Sequence, residues 1–192
     1  MSELDARLFR VVNRLSVRTP WAHGLLTAYA KDGIVLFAVL LVVAWLAARR
    51  EADVRAGARV ISTGVATLVA LGAAQLIGNA VDRARPYDAM PHVLLLVART
   101  GDFSFPSDHA TAVGAVAAGL LLTRRRLGTV AAGLALVMAF ARVYVGTHYP
   151  GDVVAGLALG GATAAAVLPL AERLLAPALV RLRSTPLARI GP

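Results

Sequence analysis

The chain predicts an all-α integral membrane protein: a bundle of about five transmembrane helices preceded by an interfacial amphipathic helix. Three observations carry this. Hydrophobic residues make up 58% of its 192 residues and charged residues only 16%, against about 25% charged in ordinary soluble domains. The apolar excess is gathered into long runs, and about 20 such residues cross a bilayer. Short connections rich in arginine separate those runs, as expected where positive loops hold spans in place. The length suits one domain, 1–192.

The elements follow in order. Residues 1–30 form an N-terminal interfacial segment. Leu4, Leu8, Val11, Val12 and Leu15 recur at helical spacing with Arg7, Arg10 and Arg14 off that stripe. Ser2 and Asp5 offer a helix start. The same stripe would also suit a helix packed on the bundle. Glu3, Asp5 and four arginines within 1–18 exclude a cleavable signal peptide. Trp21, His23, Tyr29 and Lys31 precede the first span, and the aromatics fit an interfacial belt. The transmembrane core, 33–172, holds apolar segments at about 33–49, 57–80, 108–123, 128–146 and 152–172. The third is short and is expected to begin inside a site cavity. Gly114, Ala117, Ala118 and Gly119 are small enough for close helix packing in lipid. Pro86 is expected to end the second helix.

Charge supplies the orientation. The net charge is +9, from 19 arginines and one lysine against 11 acidic residues. A basic chain invites a nucleic-acid reading, but these arginines sit between spans, which argues against that partner. Arg49, Arg50, Arg55 and Arg59, then Arg124 to Arg126, then the segment 173–192 fall on one side when five spans are threaded. That side is predicted to be cytoplasmic. The 81–107 and 147–151 loops then face outward. Cysteine is absent, which excludes disulfides and thiolate metal sites.

Nearly all the remaining polar chemistry lies in those two loops and their flanks: Arg83-Ala-Arg85-Pro86, Pro106-Ser107-Asp108-His109, Arg142 and His148-Tyr-Pro-Gly-Asp152. Three arginines, two histidines and a carboxylate can hold a phosphate, attack it and protonate the leaving group. A neutral His148 is a competent nucleophile for phosphorus. Asp152, one helical turn on, can hold its other ring nitrogen. His109 is the candidate general acid. Arg85 and Arg142 can clamp phosphoryl oxygens through their planar forks, and a charge such as Arg142 inside an apolar helix is usually functional. Ser107 reads as an N-cap and phosphate contact, or as a cap alone. Asp108 either places His109 or favours the helix dipole. Arg83 and Arg85 border a loop, where solvated surface charge is the plain alternative. Asp82, Asp88, Asp102 and His92 show no metal-ligand spacing.

These motifs resemble the type 2 phosphatidic acid phosphatase (PAP2) superfamily over roughly 60–172. That family's pattern is Lys-x6-Arg-Pro, Pro-Ser-Gly-His and Ser-Arg-x5-His-x3-Asp. The run Ala141-Arg142-Val-Tyr-Val-Gly-Thr-His148-Tyr-Pro-Gly-Asp152 keeps both spacings of the third motif. Pro-Ser-Asp-His is similar to the bacitracin-resistance branch. The resemblance implies an undecaprenyl-diphosphate phosphatase of the bacterial plasma membrane, working without metal or other cofactor through a phosphohistidine. Two departures stand out: Gly78 replaces the family lysine, with Arg83 as a stand-in, and Ala141 replaces the family serine. Other lipid phosphates would be read by the same motifs. A non-catalytic lipid-binding protein is the rival from another class.

Overall fold

In a computed structural model that describes residues 3–183, every regular element among the described residues is helical. The Ser2 start signal and the tail 184–192 lie outside the described residues. Helix α1 spans Glu3–Arg18, and a single 3-10 turn at Pro20–Ala22 leads into α2, His23–Asp32. The apolar segments become α3 (Ile34–Arg50), α4 (Val54–Val81), α6 (Asp108–Thr123), α7 (Arg125–Tyr144) and α8 (Pro150–Arg183), with a short α5 (Pro86–Ala89) in the connection between α4 and α6. Three of the described stretches are long and apolar enough to cross a membrane: Val54–Ala89, Arg125–Tyr144 and Pro150–Ala171. The bent pair formed by residues 20–32 and 34–50 adds a fourth. That pair turns by 55° at its break. Helix α6 has 16 residues, roughly 24 Å at the α-helical rise, too short to span alone.

The reason α6 can be short is its position. It packs on α8, α4, α7 and α3, so neighbouring helices cover most of its surface. Ten of its residues are buried, from Ala110 through Leu120. The interior is built from small side chains, including Ala66, Ala70, Ala74, Ala115, Ala131 and Ala135. The large aliphatics point the other way: Val39, Val42, Leu68, Leu76, Leu136 and Val154 are exposed. A small-residue core with an aliphatic exterior suits lipid, where close backbone approach rather than water exclusion drives helix association.

Helix ends explain the loops that carry the polar groups. Helix α4 stops at Asp82, whose φ of 49° is left-handed and whose N–H bonds back to the Gly78 carbonyl. Pro86 therefore does not end α4. It opens α5 at a first-turn position, where its missing N–H costs nothing. At the far end of α7, Gly146 has φ +89° and faces the Leu94 carbonyl at close range, a conformation that glycine adopts freely. It reverses the chain and delivers Thr147, His148 and Tyr149 to the bundle end. Helix α8 then starts at Pro150 and runs beyond the apolar segment, through Arg183.

Helix α1 lies at that same end, with an inverted arrangement. Its buried face carries Asp5, Ala6, Phe9, Asn13 and Ser16, while Leu4, Leu8, Val11 and Leu15 are exposed. Asn13 is fixed by a two-way bond with the Leu94 backbone, at 2.8 and 3.0 Å. The helix thus packs on the bundle through a mixed face of polar groups with Ala6 and Phe9, and turns its leucine and valine stripe outward. Of the two readings of that stripe, the packed helix is the one this geometry shows.

Candidate active site

His148 sits at the centre of the polar end and is only 2% exposed. Its Nδ1 lies 2.8 Å from the Ser104 carbonyl oxygen. A carbonyl only accepts, so Nδ1 carries the proton. Nε2 lies 3.2 Å from Nη1 of Arg85 and 3.2 Å from Nη2 of Arg142. Guanidinium groups only donate, so Nε2 holds a lone pair facing two cations. Burial pulls the imidazole pKa down to about 4, with Arg142 and Arg85 assisting and Asp152 opposing. The ring is therefore neutral at ordinary pH, with a fixed tautomer.

Asp152 is fully buried, and its carboxylate accepts three hydrogen bonds. Oδ2 accepts from the Ser104 hydroxyl at 2.6 Å and the Tyr149 N–H at 2.8 Å, and Oδ1 accepts from Arg83 at 2.6 Å. It stands 3.8 Å from Nδ1 of His148, beyond hydrogen-bond reach. The orienting bond that spacing assigns to Asp152 is made by the Ser104 carbonyl, and Asp152 acts on the ring through Ser104 and by charge. Arg83 also differs from expectation. It bridges Asp152 and Asp5 of α1, and its guanidinium lies over the Tyr149 ring, 4.1 Å from the centroid. It is thus committed to the carboxylates behind His148 and is not among the residues that line the cavity.

The two remaining arginines are unequal. Arg85 gives Nε to the Asp102 carbonyl, Nη2 to the Asp102 carboxylate at 2.9 Å and Nη1 to the Thr147 carbonyl and His148. One of its five N–H groups is left over by this count. Arg142 bonds only the Ala30 carbonyl and His148, and its buried Nε has no hydrogen-bond partner among the described residues. Most of its donors remain available to a ligand. Asp102 is half-solvated. Partial burial works against its charge, but a Thr100 hydrogen bond and Arg85 outweigh this and hold it below its ordinary range.

A cavity of about 370 Å³ opens over this cluster, lined among others by Arg85, Arg142, His148, His109, Asp108 and Lys31. His109 and Asp108 enter from the first turn of α6, whose N–H groups favour an anion there. Ser107 is the cap of that helix, accepting from the Ala110 N–H, and its own N–H reaches the Asp152 carbonyl at 3.1 Å. It is buried behind the cavity wall, so the capping reading describes its contacts. Asp108 accepts from Gln75 at 2.8 Å. Sequence reasoning missed Ser104, Asp102, Asp5 and Gln75. Lys31, the one lysine of the chain, precedes the first span in sequence and joins the cavity lining in the fold.

The polar end therefore presents a neutral imidazole lone pair, two guanidinium groups, a second histidine and a helix N-terminus around one cavity, a set suited to phosphoryl transfer. A model of the PAP2 superfamily matches residues 59–175. The chain belongs to the PAP2 superfamily. Among similar PAP2 proteins is Escherichia coli YbjG, 32% identical over 170 residues, which are 83% of this chain and 79% of that protein. The undecaprenyl-diphosphatase BcrC of Bacillus subtilis is 27% identical over 154 residues, 80% and 77% of the two chains. The crystal structure of Aquifex aeolicus LpxE shares the fold, with a TM-score of 0.66 at 22% identity over 88% of this chain and 96% of that one. This PAP2 protein is a membrane lipid phosphatase, a hydrolase.

Proposed function

We propose that the chain hydrolyses undecaprenyl diphosphate to undecaprenyl phosphate and inorganic phosphate through a phosphohistidine. The observation that carries this is His148 itself: its Nδ1 is tied to a carbonyl and its Nε2 lone pair lies between Arg85 and Arg142. The terminal phosphoryl group enters the cavity and draws the arginine donors off Nε2. Nε2 attacks phosphorus, and the bond from phosphorus to the bridging oxygen breaks. His109, which takes up a proton from solvent as the anionic diphosphate enters beside it, gives that proton to the oxygen, so lipid monophosphate leaves. His109 then takes a proton from water, the resulting hydroxide displaces His148 from phosphorus, and inorganic phosphate is released. Arg142 and Arg85 neutralise the charge that grows on the phosphoryl oxygens. Asp108 and Ser107 shape the α6 N-terminus that receives the anion, and Asp152 stabilises the imidazolium side of the intermediate.

The named activity of BcrC supports the diphosphate as substrate. The position of the cavity at the ends of lipid-facing helices supports lateral entry of a lipid. We place the protein in the bacterial plasma membrane with its site facing outward and its C-terminus in the cytoplasm. The test is phosphate release by detergent-purified protein in EDTA, with undecaprenyl diphosphate and phosphatidic acid in parallel. We expect preference for the diphosphate and a loss of about a thousandfold or more in His148→Asn. Preference for phosphatidic acid would overturn the substrate and keep the mechanism. Full activity in His148→Asn would overturn the mechanism.

A further inference from the structure

We propose that α1 is part of the catalytic apparatus, with Asp5 a positioning residue for His148 that acts through Arg83 and Asp152. This rests on the reading of His148 as nucleophile. The two oxygens of Asp5 reach two parts of the site. One accepts the Gly151 N–H at 2.8 Å, one residue before Asp152 in the first turn of α8. The other accepts from Nη2 of Arg83. Nη1 of the same guanidinium bonds Oδ1 of Asp152 at 2.6 Å, and Oδ2 of Asp152 holds the Ser104 hydroxyl and the Tyr149 N–H. The Ser104 carbonyl receives the His148 proton. Side-chain exposure is low throughout this line: 11% at Asp5, 17% at Arg83 and none at Asp152.

The geometry explains why a residue so far back should matter. A guanidinium whose two ends grip two carboxylates is fixed in plane and tilt, whereas one carboxylate leaves a rotation free. Arg83 must hold that plane because it also lies over the Tyr149 ring. Phe9 of α1 packs edge-on against the same ring, 5.6 Å between centroids. The turn 148–152 is thus pinned by α1 at Gly151, at Tyr149 and, through Arg83, at Asp152. Asp5 touches neither the cavity nor the reacting atoms, so its removal should slow attack by Nε2 and leave substrate affinity alone.

The experiment compares the full chain with Asp5→Asn, Asp5→Glu and His148→Asn in detergent. It reads kcat and KM for undecaprenyl diphosphate, melting temperature, and the rate and stoichiometry of phosphoenzyme formation in a single turnover. We expect Asp5→Asn to lower kcat and the phosphorylation rate about tenfold or more, with KM and stoichiometry unchanged and partial recovery in Asp5→Glu. A stoichiometry near that of the unaltered chain shows that the protein is folded, so the slower rate is then a positioning effect. Unaltered rates in Asp5→Asn beside an inactive His148→Asn would overturn this inference and leave the mechanism standing. A loss in Asp5→Asn that is wholly a loss of stoichiometry would overturn it too, since Asp5 would then serve folding alone. An active His148→Asn would instead overturn the mechanism on which the inference rests.

Discussion

His148 shows how burial can do the work of a base. An imidazole in water is about half protonated near pH 6.5, and a protonated ring has no lone pair for phosphorus. Here burial, with Arg142 and Arg85 adding to it, takes the pKa to about 4, so no partner needs to remove a proton before attack. The same shift ties stability to pH. Between about pH 6.5 and 4 the unfolded chain binds a proton on this residue that the folded chain refuses. Stability contributed by a neutral His148 is thus complete above the unfolded pKa and is lost as pH falls toward 4. The melting temperature in detergent should drop as pH goes from 7 to 4.5, and His148→Gln should flatten part of that drop. An identical pH dependence in the two proteins would show that the ring is not held neutral by its surroundings.

At the scale of elements, the small residues of α6 and α8 hold His109, in the first turn of α6, beside the turn that carries His148 into α8. A Cβ on Gly160 would lie 2.0 Å from the Thr111 carbonyl oxygen and 2.6 Å from the Ala115 nitrogen. Both are backbone atoms, so no side-chain rotation relieves the clash and the helices must separate. Gly160→Leu is expected to cost roughly 3 kcal/mol, at the upper end for overpacking, and to lower activity by parting His109 on α6 from Asp152 on α8. Gly133→Leu, where nothing lies within 4 Å, should leave the melting temperature unchanged, and thermal unfolding of the pair in detergent checks both. The helices themselves were legible in sequence because an apolar run long enough for a bilayer has few other uses. The Arg142, His148 and Asp152 cluster was legible because one turn and its flanks carry it. Ser104 was not, since it acts through a backbone carbonyl that any residue possesses. Nor was Asp5, whose partners lie 78 and 146 positions away, a separation that leaves no periodic trace. In sequence both Arg83 and Arg85 read as substrate contacts, one as a stand-in for the family lysine and one as a phosphate clamp. Only the fold shows that one faces the carboxylates and the other faces the cavity.

The whole molecule is polar at both ends, in different ways. At one end α3 meets α4 and α6 meets α7, and the two connections touch through the Arg124–Glu51 ion pair at 2.7 Å and the Arg59 bond to the Leu122 carbonyl. Arg49, Arg50, Arg55, Arg125 and Arg126 crowd the same connections, within the span-flanking distance over which positive charge resists translocation. At the other end Arg83, Arg85 and Arg142 are drawn inward among carboxylates and carbonyls, so they are folded into the site rather than displayed beside a span. Basic residues of the N-terminal segment stand at that end as well: Arg18 and Lys31 lie close to the first span and weigh the other way, whereas Arg7, Arg10 and Arg14 precede α3 by about 20 residues or more, at or beyond the limit of the rule. Span-flanking charge therefore favours a cytoplasmic arginine-rich end and an outward site. A fluorescent protein that matures only in the cytoplasm, fused after Pro192, should be bright, and an alkaline phosphatase fused there should be inactive. The reverse pair of signals would turn the molecule over. It would also place the cavity, with His148 and His109, on the cytoplasmic side, where it could act only on lipid presented by the inner leaflet.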